Sequence, residues 1–226
     1  MPDSAYAVII PAYNAARTLD EAIRSVLAQT VAASDILVID DGSTDDTGTI
    51  AARYGGTVRV IRQDNAGAAA ATTAGLKNVS ASFVAGLDAD DIWLPEKAER
   101  QLERFARGPH VDGLFCRGRR FRHGSDDRSS GAVAEGLSRS SMMLRTSAVA
   151  AIGPVNDPGG ARGRGEMIDW LQRGRELGLI FETLPEVLWL RRIIPGSLSY
   201  GYDTAADRGY LDVVRASLER RRARST

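Results

Sequence analysis

Phe83-Val84-Ala85-Gly86-Leu87-Asp88-Ala89-Asp90-Asp91 decides the fold: a short apolar run that ends in a cluster of carboxylates. A run of that length reads as a buried strand, and it delivers Asp88 at its C-terminal end. The same arrangement recurs upstream. Ala7-Val8-Ile9-Ile10 is a compact apolar run ended by Pro11, and Ile36-Leu37-Val38-Ile39 runs straight into Asp40-Asp41-Gly42-Ser43. Val58-Arg59-Val60-Ile61 is a third strand in sequence order.

Helical patterns separate these strands. Leu19, Ala22, Ile23, Val26 and Leu27 recur at helical spacing and make one apolar face. Ser43 or Thr44 is a candidate N-cap for a second helix, with Asp45 and Asp46 suited to its positive end. Asn65-Ala66-Gly67 turns the chain into an alanine-rich helix ending near Val79. Pro95 opens another, with Ala98, Leu102 and Phe105 on one face. Strands alternating with helices imply an α/β fold whose parallel sheet carries helices on both faces. Ligands of such sheets bind beyond the C-terminal ends of the strands. Residues 11–14, 40–43 and 88–91 should therefore converge on one edge.

The second half is less regular. Gly124 to Gly136 is rich in Ser, Gly and Asp and reads as a surface loop. Ser141 to Leu144 and Leu188 to Ile193 read as strands joining an edge of the sheet. Gly165 to Leu177 reads as a helix closed by Gly178 at C′. Arg215 to Arg224 reads as a basic helical tail, more a solvated face than a binding patch. With no internal repeat and no linker, residues 1–226 are expected to form a single domain, with a regular half over 1–107 and a less regular half over 108–226.

The bulk composition excludes several classes. Basic and acidic residues balance at 29 each, which gives no electrostatic case for nucleic acid or an anionic membrane. The one cysteine, Cys116, rules out a disulfide framework or a multi-cysteine zinc site. No apolar run approaches the roughly 20 residues of a membrane-spanning helix, and the first residues lack the basic and apolar regions of a signal peptide. A cytoplasmic location is the expectation. Arginine almost to the exclusion of lysine points to a GC-rich bacterial genome.

Carboxylates one residue apart at a strand end make a sensible site for a hard divalent cation, which would bridge them to diphosphate oxygens. Alone, Asp88, Asp90 and Asp91 read equally as turn and capping residues before the helix after Pro95. Four motifs in order shift that balance: Val8-Ile9-Ile10-Pro11-Ala12-Tyr13-Asn14, Val38-Ile39-Asp40-Asp41-Gly42-Ser43-Thr44-Asp45, Asn65-Ala66-Gly67, and Leu87-Asp88-Ala89-Asp90-Asp91-Ile92-Trp93-Leu94-Pro95. Together they resemble glycosyltransferase family 2, closely over residues 6 to about 105. The likeness is weaker through Met142-Met143-Leu144-Arg145 to about Leu190.

The resemblance implies a GT-A fold: a Rossmann-like, mostly parallel sheet with a smaller acceptor-binding half. It implies an inverting transfer of sugar from a nucleoside-diphosphate donor, UDP-linked by preference, to an acceptor hydroxyl that the sequence leaves unidentified. Pro11, Ala12 and Tyr13 match the loop against the nucleobase, and Asp41 the carboxylate that accepts a hydrogen bond from the base. Asn65 and Gly67 match a loop near the nucleotide, though a plain turn also explains them. Asp88 matches the ribose or metal contact, Ala89 lies beside it on the nucleotide, and Asp90 matches the direct ligand of Mn2+ or Mg2+.

The family's general base is the Asp of a Glu-Asp pair opening a helix. Here the matching stretch is Gly165-Glu166-Met167-Ile168-Asp169-Trp170, with methionine at that position. Glu166 and Asp169 are three apart on a helix face, so either can substitute, or both simply suit the helix N-terminus. Thr72-Thr73 stands where the family commonly has Arg-Asn, and Ile194 where a His often follows Arg-Arg-Ile. Arg191 or Arg192 can pair with a phosphate or be solvated flanks of a strand, and His110 and His123 read as surface residues. These departures keep open a second reading, a catalytically weakened relative that binds sugar nucleotides. A nucleotidyltransferase on a similar fold is disfavoured because no Gly-rich phosphate loop follows Ile10.

Overall fold

The computed structural model describes residues 4–134, 137–157, 165–194, 213–220 and 222. A sheet of nine strands runs through the whole of it. Its parallel part comprises β1 (Tyr6–Ala12), β2 (Asp35–Asp41), β3 (Arg59–Gln63) and β4 (Phe83–Gly86), in the order β3-β2-β1-β4.

Each central strand divides its side chains between two cores, as the two-residue period of a strand requires. Tyr6, Val8 and Ile10 face one core with Ile36 and Val38, while Ala7 and Ile9 face the other with Leu37 and Ile39. The first core is closed by α1 (Leu19–Leu27), α2 (Thr47–Ala52) and α4 (Lys97–Arg107). The second is closed by α3 (Gly67–Lys77), α5 (Thr146–Ile152) and α6 (Glu166–Glu176). The alanines of α3 let it lie close on the sheet. At Gly75 a Cβ would come within 3.0 Å of Ile9 Cγ2, so even an alanine would have to push the Ile9 and Ile39 side chains aside by a few tenths of an ångström.

Three local expectations shift. Leu27 is 43% exposed rather than part of the apolar face of α1. The second helix starts at Thr47 after Asp46, not after Ser43 or Thr44. Those two residues are taken up by the preceding strand's loop, where Ser43 Oγ accepts from Asn14 N (3.0 Å) and Thr44 N donates to Asn14 Oδ1 (2.9 Å). Pro95 lies just outside α4, which begins at Lys97.

The largest correction concerns the second half. The strands read near 141–144 and 188–193 do not join an edge. β8 (Met143–Arg145) is inserted antiparallel between β4 and β6 (Gly113–Arg122), and β9 (Phe181–Ile193) lies between β6 and the short β5 (Ile92–Trp93). The arginines of Gly113–Arg122 hide β6 from a reading by hydrophobicity. Gly118 admits the ring of Trp189, since a Cβ there would lie 2.2 Å from Trp189 Cε2. The loop after Gly124 contains β7 (Val133–Ala134), paired with β6, and its residues 135–136 lie outside the described residues.

α6 ends as expected, with Gly178 at φ +85° and Leu179 N bonded to Gly174 O (3.1 Å). In the basic tail, a helix occupies 213–220. Arg220 is docked onto α6, 2.9 Å from Asp169 Oδ1 and 3.0 Å from Glu176 Oε2. Residues 221 and 223–224 of that tail lie outside the described residues.

Candidate active site

The loops leaving β1, β2 and β4 meet as the strand ends require, around a cleft of about 460 Å³. Pro11, Ala12, Tyr13, Asp41, Asp88, Ala89 and Asp90 all line it. The β1 and β2 loops are laced together: besides the Asn14 bonds, Ala15 N donates to Thr47 Oγ1 at 2.7 Å. Asn14 holds φ +48°, a left-handed conformation its side-chain bond to Thr44 stabilises. Tyr13 is left 53% exposed, its ring a free face at the mouth of the cleft.

The two carboxylates after β2 do different things. Asp40 turns away: its Oδ2 pairs with Arg62 (2.7 Å) and its Oδ1 accepts from Ser43 N (2.9 Å). Asp41 reaches the cleft while anchoring the start of α3. Its Oδ1 accepts from Gln63 Nε2 (2.7 Å) and Ala66 N (2.9 Å), and its Oδ2 from Gly67 N (2.8 Å). It thereby satisfies N–H groups that a helix start leaves orphaned. Gly67 contributes through its backbone N–H, and neither it nor Asn65 lines the cleft; Ala68 and Ala71 do. Gly42, at φ +73°, is fixed by the same loop, since a Cβ would lie 2.8 Å from Asn65 N.

The carboxylates after β4 also divide. Asp91 is buried and structural: Ser140 Oγ donates to its Oδ2 (2.6 Å) and Arg192 N to its Oδ1 (3.0 Å). Burial first, then the charges of Asp90 and Asp88, push its pKa well above the carboxylate range. Asp88 is ion-paired with Arg139. No side chain among the described residues hydrogen-bonds or ion-pairs with the Asp90 carboxylate. Desolvation, then repulsion from Asp88, raise it to about 6.

Arg139 is the residue that the sequence reading missed. It belongs to a 3-10 turn, Arg139–Ser141, ahead of β8. Its Nη1 pairs with Asp88 and its Nη2 lies 3.3 Å from Glu166 Oε1, so it joins the acidic cluster to the start of α6. The turn is held by buried donors behind it: Trp93 Nε1 to Ser140 O (2.8 Å), Gln101 Nε2 to Ser141 O (2.9 Å) and Lys97 Nζ to Met142 O (3.3 Å). The available signal was thin: an arginine and two serines directly before a buried strand.

Glu166 and Asp169 part company. Glu166 lies in a smaller recess of about 210 Å³ shared with Asp88, Arg139 and Arg191. Burial raises its pKa against the opposing pull of Arg139. Asp169 faces the other way, 3.2 Å from Arg173 Nε and paired with Arg220, and lines neither cavity. Met167, between them, is packed in the second core. Arg192 is buried, its Nε donating to Asp90 O (2.8 Å) and its Nη2 paired with Glu21; Arg191 lines the cleft. His123 sits beside Arg192, Nδ1 to Nη1 3.4 Å, and neither it nor the exposed His110 lines the cleft.

The strand-end loops thus bring an exposed ring, Tyr13, and three carboxylates, Asp41, Asp88 and Asp90, to one cleft. The chain belongs to glycosyl transferase family 2, whose family model matches residues 7–159, more than half of its length. An uncharacterised glycosyltransferase of Rickettsia prowazekii is 41% identical over 95 residues, 42% of this chain and 30% of that protein. The UDP-Glc:alpha-D-GlcNAc-diphosphoundecaprenol beta-1,3-glucosyltransferase of Escherichia coli is 39% identical over 104 residues, 45% of this chain and 41% of that protein. The chain thus spans less than half of the length of either.

Among solved structures, S. aureus TarS 1-349 in complex with UDP-GlcNAc superposes with a TM-score of 0.73 at 20% identity, over 94% of this chain and 65% of that one. The mannosyltransferase PcManGT of Pyrobaculum calidifontis, in complex with GDP-Man and Mn2+, gives 0.66 at 18% identity, over 88% and 61%. These likenesses identify the fold as GT-A type. No helix of the described residues is long and apolar enough to cross a membrane.

Proposed function

We propose that this chain is an inverting glycosyltransferase that takes a nucleoside-diphosphate sugar in the cleft and transfers the sugar to an acceptor hydroxyl. The observation that carries the reading is the convergence of Tyr13, Asp41, Asp88 and Asp90 on one cleft from three separate strand ends. Tyr13 offers the nucleobase a stacking face. Asp41 spends three acceptor positions on α3 and its neighbours, and a carboxylate has about four. One is therefore left for a base N–H. The name of the Escherichia coli relative specifies a UDP-linked donor, which supports UDP as the carrier.

Asp90 fits a divalent cation, because it is a hard oxygen donor, largely buried, with no direct ion pair among the described residues and only the more distant charges of Arg192 and Arg191 acting on it. Bound there, Mn2+ or Mg2+ supplies Lewis-acid stabilisation to the diphosphate as it leaves. The protein's own part is to fix the donor and to take a proton. An acceptor oxygen attacks the anomeric carbon, the bond from that carbon to the phosphate oxygen breaks, and Glu166 takes the hydroxyl proton. Glu166 is preferred to Asp169 because it shares a recess with Asp88. Residues 1–107 form the donor half and 108–226 the acceptor half.

A thermal-shift screen of nucleoside diphosphates and their sugars with and without Mn2+ tests this. Stabilisation by a UDP species that grows with Mn2+, and loss of the Mn2+ increment in Asp90→Asn, are expected; indifference to every nucleotide removes the reading. The hold of Arg139 on Glu166 favours a second reading, a sugar-nucleotide-binding relative without turnover. Donor consumption that disappears in Glu166→Gln separates the two.

A further inference from the structure

In a chain that uses arginine almost everywhere, one of its two lysines lies wholly inside the fold. Lys97, the first residue of α4, is 0% exposed, and no carboxylate among the described residues pairs with it. Neutral oxygens and a ring meet its ammonium instead. Nζ donates to Gln101 Oε1 (2.9 Å) and Met142 O (3.3 Å) and lies 3.9 Å from the ring centroid of Trp93. Burial lowers its pKa to about 8, which leaves it protonated at neutral pH. A buried charge without a counter-ion is costly, and an apolar side chain of similar volume avoids that cost. Packing alone therefore does not account for a cation at this position.

Trp93, Lys97 and Gln101 follow one another at four-residue spacing, and each donates to one of three successive carbonyls, Ser140 O, Met142 O and Ser141 O. Residues 139–142 belong to no strand ladder, so these donors hold a segment that the sheet does not. On its other side the same turn meets the cleft. Arg139 pairs with Asp88 and Glu166, and Ser140 Oγ accepts from Asp88 N (3.1 Å) while donating to Asp91 Oδ2 (2.6 Å). Lys97 itself lines neither cavity of the site. We propose that Lys97 is a positioning residue: its ammonium holds the 139–142 turn against α4, and through that turn it fixes Arg139 and Ser140 on the cleft's carboxylates. A charged donor makes a hydrogen bond roughly twice as strong as a neutral one, which is what the cation adds. The effect on turnover rests on the donor reading above; the hold on the turn does not.

The test is Lys97→Met in the full chain at pH 7, which keeps the stem and removes the charge. Hydrogen exchange read by mass spectrometry should show the 139–142 turn exchanging at least about tenfold faster than in the wild type, the order of one lost bond to a charged group. Amides of β1 and β2 should keep their rates, and the urea midpoint should not fall, because a buried charge has gone as well. With a UDP-sugar as donor, kcat for donor consumption should drop at least about tenfold while UDP affinity stays within about threefold, since Tyr13 and Asp41 stand on β1 and β2. Lys97→Arg, which keeps the charge, should exchange more slowly at the turn than Lys97→Met. A turn as protected in Lys97→Met as in the wild type overturns the proposal. So does a joint fall in midpoint, affinity and turnover, which marks a merely structural residue. If circular dichroism shows Lys97→Met unfolded, Lys97→Gln takes its place with the same expectations. A wild type that neither binds UDP nor consumes the donor removes the donor reading and leaves the exchange comparison to decide.

Discussion

Asp41 is the residue whose replacement most directly tests the coupling between the cleft and the scaffold. In Asp41→Asn the shape is kept, but one oxygen becomes an NH2 group. Oδ1 accepts two donors and Oδ2 one, so the favoured orientation places the new NH2 against Gly67 N–H, 2.8 Å away. A charge-assisted bond to the first turn of α3 is lost, and a part-buried N–H is left facing another donor. Such a loss costs about 1–3 kcal/mol. In a chain of this size each kcal/mol moves the midpoint of thermal unfolding by roughly 2–4 °C, so a fall of about 2–12 °C is expected. Differential scanning calorimetry of the ligand-free chain measures it. A midpoint within about 1 °C of wild type would mean that the carboxylate does not hold α3, and that Asp41 serves the ligand alone.

Tyr13→Ala should behave in the opposite way: with the ring already half in solvent, stability stays within about 0.5 kcal/mol. Its UDP affinity by calorimetry should fall by roughly tenfold, the order of a lost stacking contact. Asp90 has a folded pKa of about 6 against an ordinary value of 3.8. Its protonated form is thus favoured by folding: the contribution is full below about pH 3.8 and lost as pH rises through 6. Metal-free Asp90→Asn should therefore be more stable than wild type at pH 7.5, by up to about 3 kcal/mol, with no difference at pH 3.5; urea titrations at the two pH values decide. Gly118→Ala forces the ring of Trp189, its partner on β9, off the face of β6, and urea unfolding should show a cost of about 1–3 kcal/mol.

The parallel half of the sheet was legible because β1, β2 and β4 are built on uninterrupted apolar runs, the mark of strands buried on both faces. Pro11, Asp41 and Asp88 could be placed on one edge by topology alone. The second half was not legible for a physical reason. β6 carries arginines at 117, 119, 120 and 122, and β8 is three residues long. Such strands are specified by partners that come from distant sequence. The helix start at Asp46 was misplaced because Ser43 and Thr44, good caps by type, bond across to Asn14 instead. Arg139 was invisible for a similar reason: its importance comes from Asp88 and Glu166, 51 and 27 residues away.

The contacts of Arg192 carry a consequence for how this protein is made. Its N–H and its Nε hold Asp91 and the Asp90 carbonyl across 101 and 102 residues of chain. On the ribosome, β1, β2, β3 and the β1-facing side of β4 can pair as soon as they emerge, because those parallel ladders need nothing later than residue 86. The acidic loop cannot take its working shape until residue 192 has been synthesised and has cleared the exit tunnel. A nascent chain arrested before that point should already protect β1 and β2 from proteolysis yet leave the segment after Gly86 open to cleavage.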